Sequence, residues 1–454
     1  MEIIEDKAVR RKYAIDWWAV SHKWSEEEIQ KHLPTAIAIP KNVEEVQTAV
    51  KYANEHGLKV IPYGGGSGVL GGIIPIKPTL TIDMRQITGV VDFDEDDHLV
   101  TVNAGMIGSE LEDYLNKRGY TIGHYPQSLY LASIGGLVAT KSAGTFSSKY
   151  GNIENVMQAL EVVLPNGEIL SNRNIPRSST GPHIPTLFIG SEGTLGIITK
   201  VTLRMSKLPE RREFRGIEFS SWEDAIYTAR EFYRRDIVPA VIRINNPAES
   251  QNFFSKINHK ASEGKVLMII GIVGAETVVP EVLKQVLLTA KERGGEDIGP
   301  EIGNIWEKTR YNADWMKAGN SGNYIGDAIE VSGNWTQLPK MLALVSKRLE
   351  GKVAMLWAHG SHFYASGGNI YFIVVAKGEN NQDVLAKYDD IWNTIMKAVY
   401  EIGGSGAHHH GIGKQRLPWY EEEIGHESHE ILAGLEEVID PKHTFSPGNL
   451  GVKK

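Results

Sequence analysis

Residues 63–72 read YGGGSGVLGG, six glycines in ten positions, and the prolines just beyond them limit this chain more than any other feature. GSGVLG at 66–71 has the G-x-G-x-x-G spacing of a dinucleotide-binding turn. That turn must run straight into a helix whose N-terminus receives the pyrophosphate. Here the continuation is GIIPIKPTLTI, where Pro75 and Pro78 forbid a regular helix. No Gly-Lys-Ser/Thr comes after it, which excludes a Walker-type phosphate loop as well. Taken alone, the segment is either an anion nest of backbone N–H groups or a mobile glycine turn. Two further stretches of the same texture tip the balance: PQSLYLASIGGLVATKSAG at 126–144, and GSEGTLG at 190–196 directly after an apolar run. Three places where bare backbone can approach a ligand point to one extended site for a large, flat, phosphorylated cofactor.

The surrounding pattern is regular from residue 34 onward. Thr35–Ile39 reads as a strand closed by Pro40; Asn42 and Glu45 stand in capping-box spacing. Val43, Val46, Val50 and Ala53 give one buried helical face that ends at Gly57, and Leu58–Pro62 completes a β-α-β unit. Strand-like runs come next at Leu80–Met84, Gly89–Asp92, Leu99–Ala104, Ala159–Leu164, Thr186–Ile189 and Gly196–Met205, with a helix over Ser109–Arg118. Beyond Pro209, strands (Glu213–Phe219, Ala240–Ile244, Val266–Ile272, Ile370–Val375) alternate with long amphipathic helices (Trp222–Arg235, Val279–Arg293, Trp335–Leu349, Val384–Tyr400). This predicts an α+β second domain. The division is 1–208, 209–405 and a loop-rich tail, 406–454, carrying HHHG and PGNLG.

Composition removes several function classes. The 454 residues include no cysteine, which excludes disulfides, thiolate metal sites, iron–sulfur clusters, cysteine nucleophiles and a flavin tethered through sulfur. A net charge of -8 argues against a nucleic-acid partner. No apolar run has the roughly 18–20 residues that span a bilayer, and the N-terminus lacks a signal-peptide pattern. The expectation is a cytoplasmic protein.

The glycine segments resemble the FAD-binding family of the vanillyl-alcohol oxidase and p-cresol methylhydroxylase (PCMH) type, densely over residues 34–206 and more thinly at the C-terminus. The resemblance implies an α+β fold: a two-subdomain PCMH-type FAD-binding domain, an α+β cap that binds substrate, and a C-terminal segment returning to the FAD domain. It assigns pyrophosphate contacts to Pro62, Gly64, Gly65, Gly66, Ser67, Gly68 and Val69. Further FAD contacts fall on Pro126, Ser128, Thr140, Ser142, Gly190, Glu192, Gly193, Thr194 and Gly196. The first loop lacks the histidine that often carries covalent flavin in this family, so the FAD is read as non-covalent.

Within that family, PQSLYLASIGG, KYGNIEN (149–155), PRSSTGPHI (176–184) and HHHGIGK (408–414) are similar to the alkylglycerone-phosphate synthases. This implies exchange of the acyl group of acyl-dihydroxyacetone phosphate for a fatty alcohol through an adduct at flavin N5, with a phosphorylated, lipid-like substrate. The alternative is an FAD-linked D-2-hydroxy-acid dehydrogenase or oxidase, whose relatives usually show EHG where this chain has HHHG. On residue chemistry alone, His408, His409 and His410 have a pKa near neutrality suited to proton transfer or to holding an anion. By resemblance Tyr371, in GGNIYF, is the proton-transfer residue; the hydroxy-acid relatives have a metal-holding histidine there, so no metal is expected. Arg243, in VIRINN, matches an arginine near the synthases' active site, where a guanidinium can fork onto phosphate. WEKTRYNADWMKAG offers Arg310 or Lys317 as a second phosphate ligand, with Lys317 preferred. The stretch from Arg243 to Val266, including Gln251–Lys260, is shorter than the region that binds membrane in long-chain synthases. A peripheral membrane contact and a homodimer are carried as open expectations.

Overall fold

The computed structural model describes residues 1–76, 78–261, 263–312 and 320–451. The β-α-β unit is present as Ala36–Ile39, a helix over Val43–Glu55, and Lys59–Tyr63. Asn42 caps the helix by accepting the Glu45 N–H at 2.9 Å. Its apolar face, Val43, Val46, Ala49, Val50 and Ala53, is buried. The two strands do not pair with one another: Thr79–Asp83 inserts between them, parallel to both, and Glu2–Ile4 adds an antiparallel edge. Lys59–Tyr63 therefore delivers the glycine segment at the C-terminal end of a parallel sheet, where open α/β sheets place their ligands.

A second, antiparallel sheet has the order Val90–Asp94, Leu99–Asn103, Ile197–Arg204, Met157–Val163, Ile169–Ser171. A third has seven antiparallel strands in the order Glu296–Asp297, Arg211–Phe219, Val266–Gly274, Val241–Asn245, Met355–Tyr364, Gly367–Lys377, Tyr324–Asn334. One face of this sheet packs Ile242, Ile244, Ala358, Ile370, Phe372 and Val374 against the helices Trp222–Arg234, Val279–Lys291, Leu338–Leu349 and Asn381–Glu401. Because side chains alternate along a strand, the residues between them, Arg243, Asn245, His359, Tyr371 and Ile373, face the other way, toward the glycine loops.

One sequence expectation is corrected and another is refined. Thr186–Ile189 is not a strand; Ile184–Phe188 is a short 3-10 turn, and Pro185 removes a donor that a ladder would use. The loop-rich tail also holds two helices that the sequence reading did not place, Leu417–Ile424 and His426–Ile439. Tyr420 and Glu436 are their only fully buried residues, so the apolar periodicity that reveals a helix is faint. The chain then returns to the first sheet, where Val60 N–H donates to Thr444 O and Ser446 N–H to Val60 O, each at 2.8 Å.

Candidate active site

Between the glycine loops and the open face of the seven-stranded sheet lies a cavity of about 780 Å³, within the range of small-molecule and cofactor sites. One wall carries Pro62, Gly64, Gly65, Gly66, Ser67, Gly68, Val69, Pro126, Ser128, Thr140, Ser142, Glu192, Gly193 and Gly196; the other carries Arg243, His359, His362, Tyr371, His409 and His410. Three described residues singled out from the sequence do not line it. Gly190 and Thr194 shape the turn beneath, the first donating its N–H to Val138 O at 3.0 Å and the second its hydroxyl to Ser191 O at 2.8 Å. His408 faces a second, smaller cavity. The string PRSSTGPHI is exposed loop apart from the start of the 3-10 turn, and Lys317 lies outside the described residues.

The glycine cradle fits a phosphorylated cofactor on geometry. None of the N–H groups of residues 65–70 donates to a protein acceptor among the described residues, leaving a run of donors along the cavity wall. A Cβ on Gly65 would sit 1.6 Å from the Leu131 carbonyl oxygen, and one on Gly64 would sit 2.2 Å from Ser133 Oγ. Only glycine allows the first two small-residue segments to approach this closely. An N-terminal strap completes the cradle. Trp17 N–H donates to Gly68 O at 2.9 Å, and the buried Asp16 carboxylate accepts from Gly71 N–H at 3.1 Å. Burial lifts the Asp16 carboxyl to about 7 and lowers the nearby Lys414 ammonium to about 8. Nothing in the sequence of residues 13–24 announces this role.

The histidine loop is pinned from two sides. Glu330, fully buried, accepts the N–H groups of His408, His409 and His410 at 3.1, 3.0 and 2.8 Å. It also meets Arg416, itself 3% exposed, and His410 Nδ1 at 3.2 Å. Glu192 accepts from Ile412 and Gly413 N–H at 2.5 and 2.9 Å. Its carboxylate is thus spent on the loop. Sequence reading missed Glu330 and Arg416; the signal was an acid inside a largely apolar strand, which burial obliges to find a partner.

Strand register assembles the reacting face. Glu330 lies opposite Tyr371, which lies opposite His359, which lies opposite Asn245. This is one cross-strand row over four strands. Tyr371 Oη bonds His409 Nε2 at 2.5 Å and its ring stacks on His359, centroids 4.8 Å apart. A bulge after Ser361, with His362 at φ 45°, turns the buried His362 ring into the cavity, a common use of bulges. Burial, with the Glu330 charge adding, raises the Tyr371 phenol well above its ordinary value. Burial likewise holds His362 and His409 well below theirs. The rings are neutral, suited to passing a proton rather than storing one.

Arg243 is heavily committed. It donates to Asn245 Oδ1 at 2.9 Å, Glu249 Oε1 at 2.6 Å and His359 Nδ1 at 3.0 Å. Burial would raise the Glu249 carboxyl, but His359 and Arg243 outweigh it and hold it at about 2. The cavity continues past Val241, Phe253, Lys256 and Trp306 to Arg310. Arg310 is ringed by Tyr311, Phe146, Tyr125 and Trp306 at 4.3–5.9 Å, and among the described residues its Nε has no partner. Among the described residues no group of three or more His, Cys, Asp or Glu is arranged to hold a metal, and no helix is long and apolar enough to cross a membrane.

Comparison with known proteins shows the family and its cofactor. Residues 34–172 match a model of the FAD binding domain, and residues 208–450 match the C-terminal domain of FAD linked oxidases. An alkyldihydroxyacetonephosphate synthase of Dictyostelium discoideum is 30% identical over 92% of this chain and 74% of its own length. A D-lactate dehydrogenase of Anaerostipes hadrus is 26% identical over 93% and 90%. A solved alkyldihydroxyacetonephosphate synthase superposes with a TM-score of 0.80 at 26% identity, covering 98% of this chain and 83% of that one. The cofactor for which the cradle is built is FAD.

Proposed function

The chain belongs to the FAD-linked oxidases, and from that premise we propose that it replaces the acyl group of acyl-dihydroxyacetone phosphate with a fatty alcohol. The supporting observation is the cavity wall itself. Tyr371, bonded to a neutral His409, shares it with Arg243 and Arg310, on apolar surfaces of Val241, Phe253 and Trp306. An anionic head joined to an aliphatic chain matches that combination.

In this reading residues 64–69 with Ser128, Thr140 and Ser142 hold FAD, whose isoalloxazine supplies a centre that reversibly accepts an electron pair. Arg310 and the free edge of Arg243 hold the phosphate. Tyr371 and His409 handle the proton. The bond from carbon to the alcohol oxygen forms, the bond from the same carbon to the acyl oxygen breaks, and the fatty acid leaves as carboxylate. The alcohol proton is released and no net oxidation occurs. A second reading, oxidation of a D-2-hydroxy acid, draws support from the D-lactate dehydrogenase relative and from the fit of a guanidinium to a carboxylate.

The test is product formation by FAD-loaded protein from acyl-dihydroxyacetone phosphate and hexadecanol with no electron acceptor present. Ether product is expected. Turnover confined to D-lactate or glycolate with an artificial acceptor would overturn the proposal in favour of the second reading.

A further inference from the structure

Tyr371 is the first member of a hydrogen-bonded chain that leaves the main cavity. Its Oη meets His409 Nε2 at 2.5 Å. On the far side of that ring, His409 Nδ1 meets His408 Nδ1 at 2.6 Å. His408 Nε2 then meets Tyr364 Oη at 2.9 Å, which reaches Asn152 Oδ1 at 3.3 Å. His408 and Tyr364 line a separate cavity of about 280 Å³. Its rim residues Asn334, Ser366 and Gly403 are exposed. A bond between two Nδ1 atoms requires one ring to donate and the other to accept, so the links run together either inward from Asn152 Nδ2, 3.0 Å from Tyr364 Oη, or outward to Asn152 Oδ1; the outward sense is the one that exports a proton. In that sense Tyr371 donates to His409 Nε2, His409 Nδ1–H to His408 Nδ1, His408 Nε2–H to Tyr364, and Tyr364 to Asn152.

The geometry points to a proton relay, Tyr371–His409–His408–Tyr364, that carries the proton released at the substrate out to solvent in the second cavity. Acyl exchange and hydroxy-acid oxidation each release one proton in the enclosed site: from the alcohol as its oxygen bonds to carbon, or from the substrate hydroxyl as a hydride leaves the carbon. That proton goes to Tyr371 Oη while the tyrosine proton moves to His409 Nε2. His409 Nδ1–H moves to His408 Nδ1, His408 Nε2–H to Tyr364 Oη, and the Tyr364 proton to water. One proton crosses, every member ends neutral, and each imidazole ends as its other tautomer, to be reset by ring or proton exchange. Burial holds His409 and His408, the latter at about 4, below their ordinary values and lifts Tyr364 to about 12. A charge is therefore not parked along the route. The inference rests on the proposed function only in needing a proton to leave the cavity.

The relay is tested with His408→Gln, which keeps a donor and an acceptor but cannot pass a proton, and with Tyr364→Phe. Both should retain FAD and a KM close to that of the unmodified protein. Their kcat should fall at least about tenfold, approaching the roughly 10²–10⁴-fold of a positioned acid or base, with an enlarged solvent deuterium isotope effect. His408→Ala should regain rate with added imidazole, which fits the second cavity. Nitrogen-15 NMR of histidine in the FAD-loaded protein should show His408 and His409 neutral, with one Nδ1 of the pair protonated and the other bare. Unchanged kcat and isotope effect in both variants would overturn the relay, as would a charged ring or two matching Nδ1 atoms. If only hydroxy acids turn over, the synthase reading fails while the same variants still judge the relay; if neither substrate turns over, the NMR result decides it.

Discussion

Replacing Glu330 tests whether one buried carboxylate organises the histidine loop. Its side chain is fully buried, accepts three successive backbone N–H groups, and faces an Arg416 that is 3% exposed. Glu330→Ala strands that guanidinium and three donors at once. Orphaning one partner of a buried pair costs about 3–5 kcal/mol, a large part of a total stability of about 5–15 kcal/mol. Glu330→Gln keeps an acceptor and loses only the charge, so about 2 kcal/mol is expected, near the value of a charge-assisted hydrogen bond. Arg416→Met alone strands Glu330, whereas Glu330→Gln with Arg416→Met strands neither. The double variant should be more stable than the sum of the single losses predicts, by about 1–3 kcal/mol. Urea unfolding of the FAD-loaded protein, monitored by flavin fluorescence and circular dichroism, measures all four. Additive losses, or a Glu330→Ala variant within about 0.5 kcal/mol of the parent, would refute the idea that this pair pins the loop. Turnover should fall with stability in Glu330→Ala, since His408–His410 lose their shared anchor.

The purified protein should be yellow and release its flavin to the supernatant on acid precipitation; flavin that stays with the pellet would show a covalent link. Gly65→Ala should weaken FAD binding roughly 5- to 150-fold, because its Cβ would sit 1.6 Å from Leu131 O and overpacking costs about 1–3 kcal/mol; Gly57→Ala, with open space around its Cβ, should leave flavin affinity unchanged. Stability should decline on acidification from about pH 6.5 rather than only below 4.5. His124 and His408 titrate near 4 when folded, so below 6.5 the unfolded chain binds protons that the folded chain refuses, at up to about 1.4 kcal/mol per pH unit per ring. Glu249, held at about 2, extends the loss from about pH 4.5 downward. A flat stability between pH 6.5 and 5 would contradict these buried neutral histidines.

The FAD lobe was legible because its determinants are local. Prolines after a glycine run, an asparagine cap at position 42, and apolar residues at helical spacing each act within a few positions of themselves. The histidine string and Tyr371 were legible as chemistry but not as geometry. Strand register joins them, setting Glu330, Tyr371, His359 and Asn245 in one row from segments far apart in the chain. Register is fixed by packing of the opposite face, here Ile242, Ala358 and Phe372 on helices, and no short string encodes it. The strap at Asp16 and Trp17 went unseen for a related reason. Its function is a single backbone bond to Gly68 and one carboxylate to Gly71, contacts that many sequences could supply.

The two arginines of the cavity differ in the charge they offer. Arg243 is balanced by Glu249, and His359 beside them is held below its ordinary value by burial and by Arg243 itself. Arg243 and Glu249 thus form a pair with almost no net charge. Among the described residues Arg310 has no carboxylate hydrogen-bond partner; there its neighbours are Thr145, four aromatic faces and, at longer range, Glu307. Burial lowers its pKa, yet an arginine stays protonated, so it is a buried cation of the cavity without a carboxylate hydrogen-bond partner among the described residues. The desolvation it suffers is relieved by an anion that enters beside it, and a ligand's charge is worth most there. A small hydroxy acid has one anionic group to divide between the Tyr371 end and Arg310. On the proposed reading, a phosphorylated ketone carrying an acyl chain would place its phosphate at the cation, its reacting carbon near Tyr371 and His409, and its chain on Val241, Phe253 and Trp306. Substituting Arg310 should therefore raise the KM for a phosphorylated substrate and leave D-lactate untouched, which makes this residue a more selective probe of substrate class than Arg243.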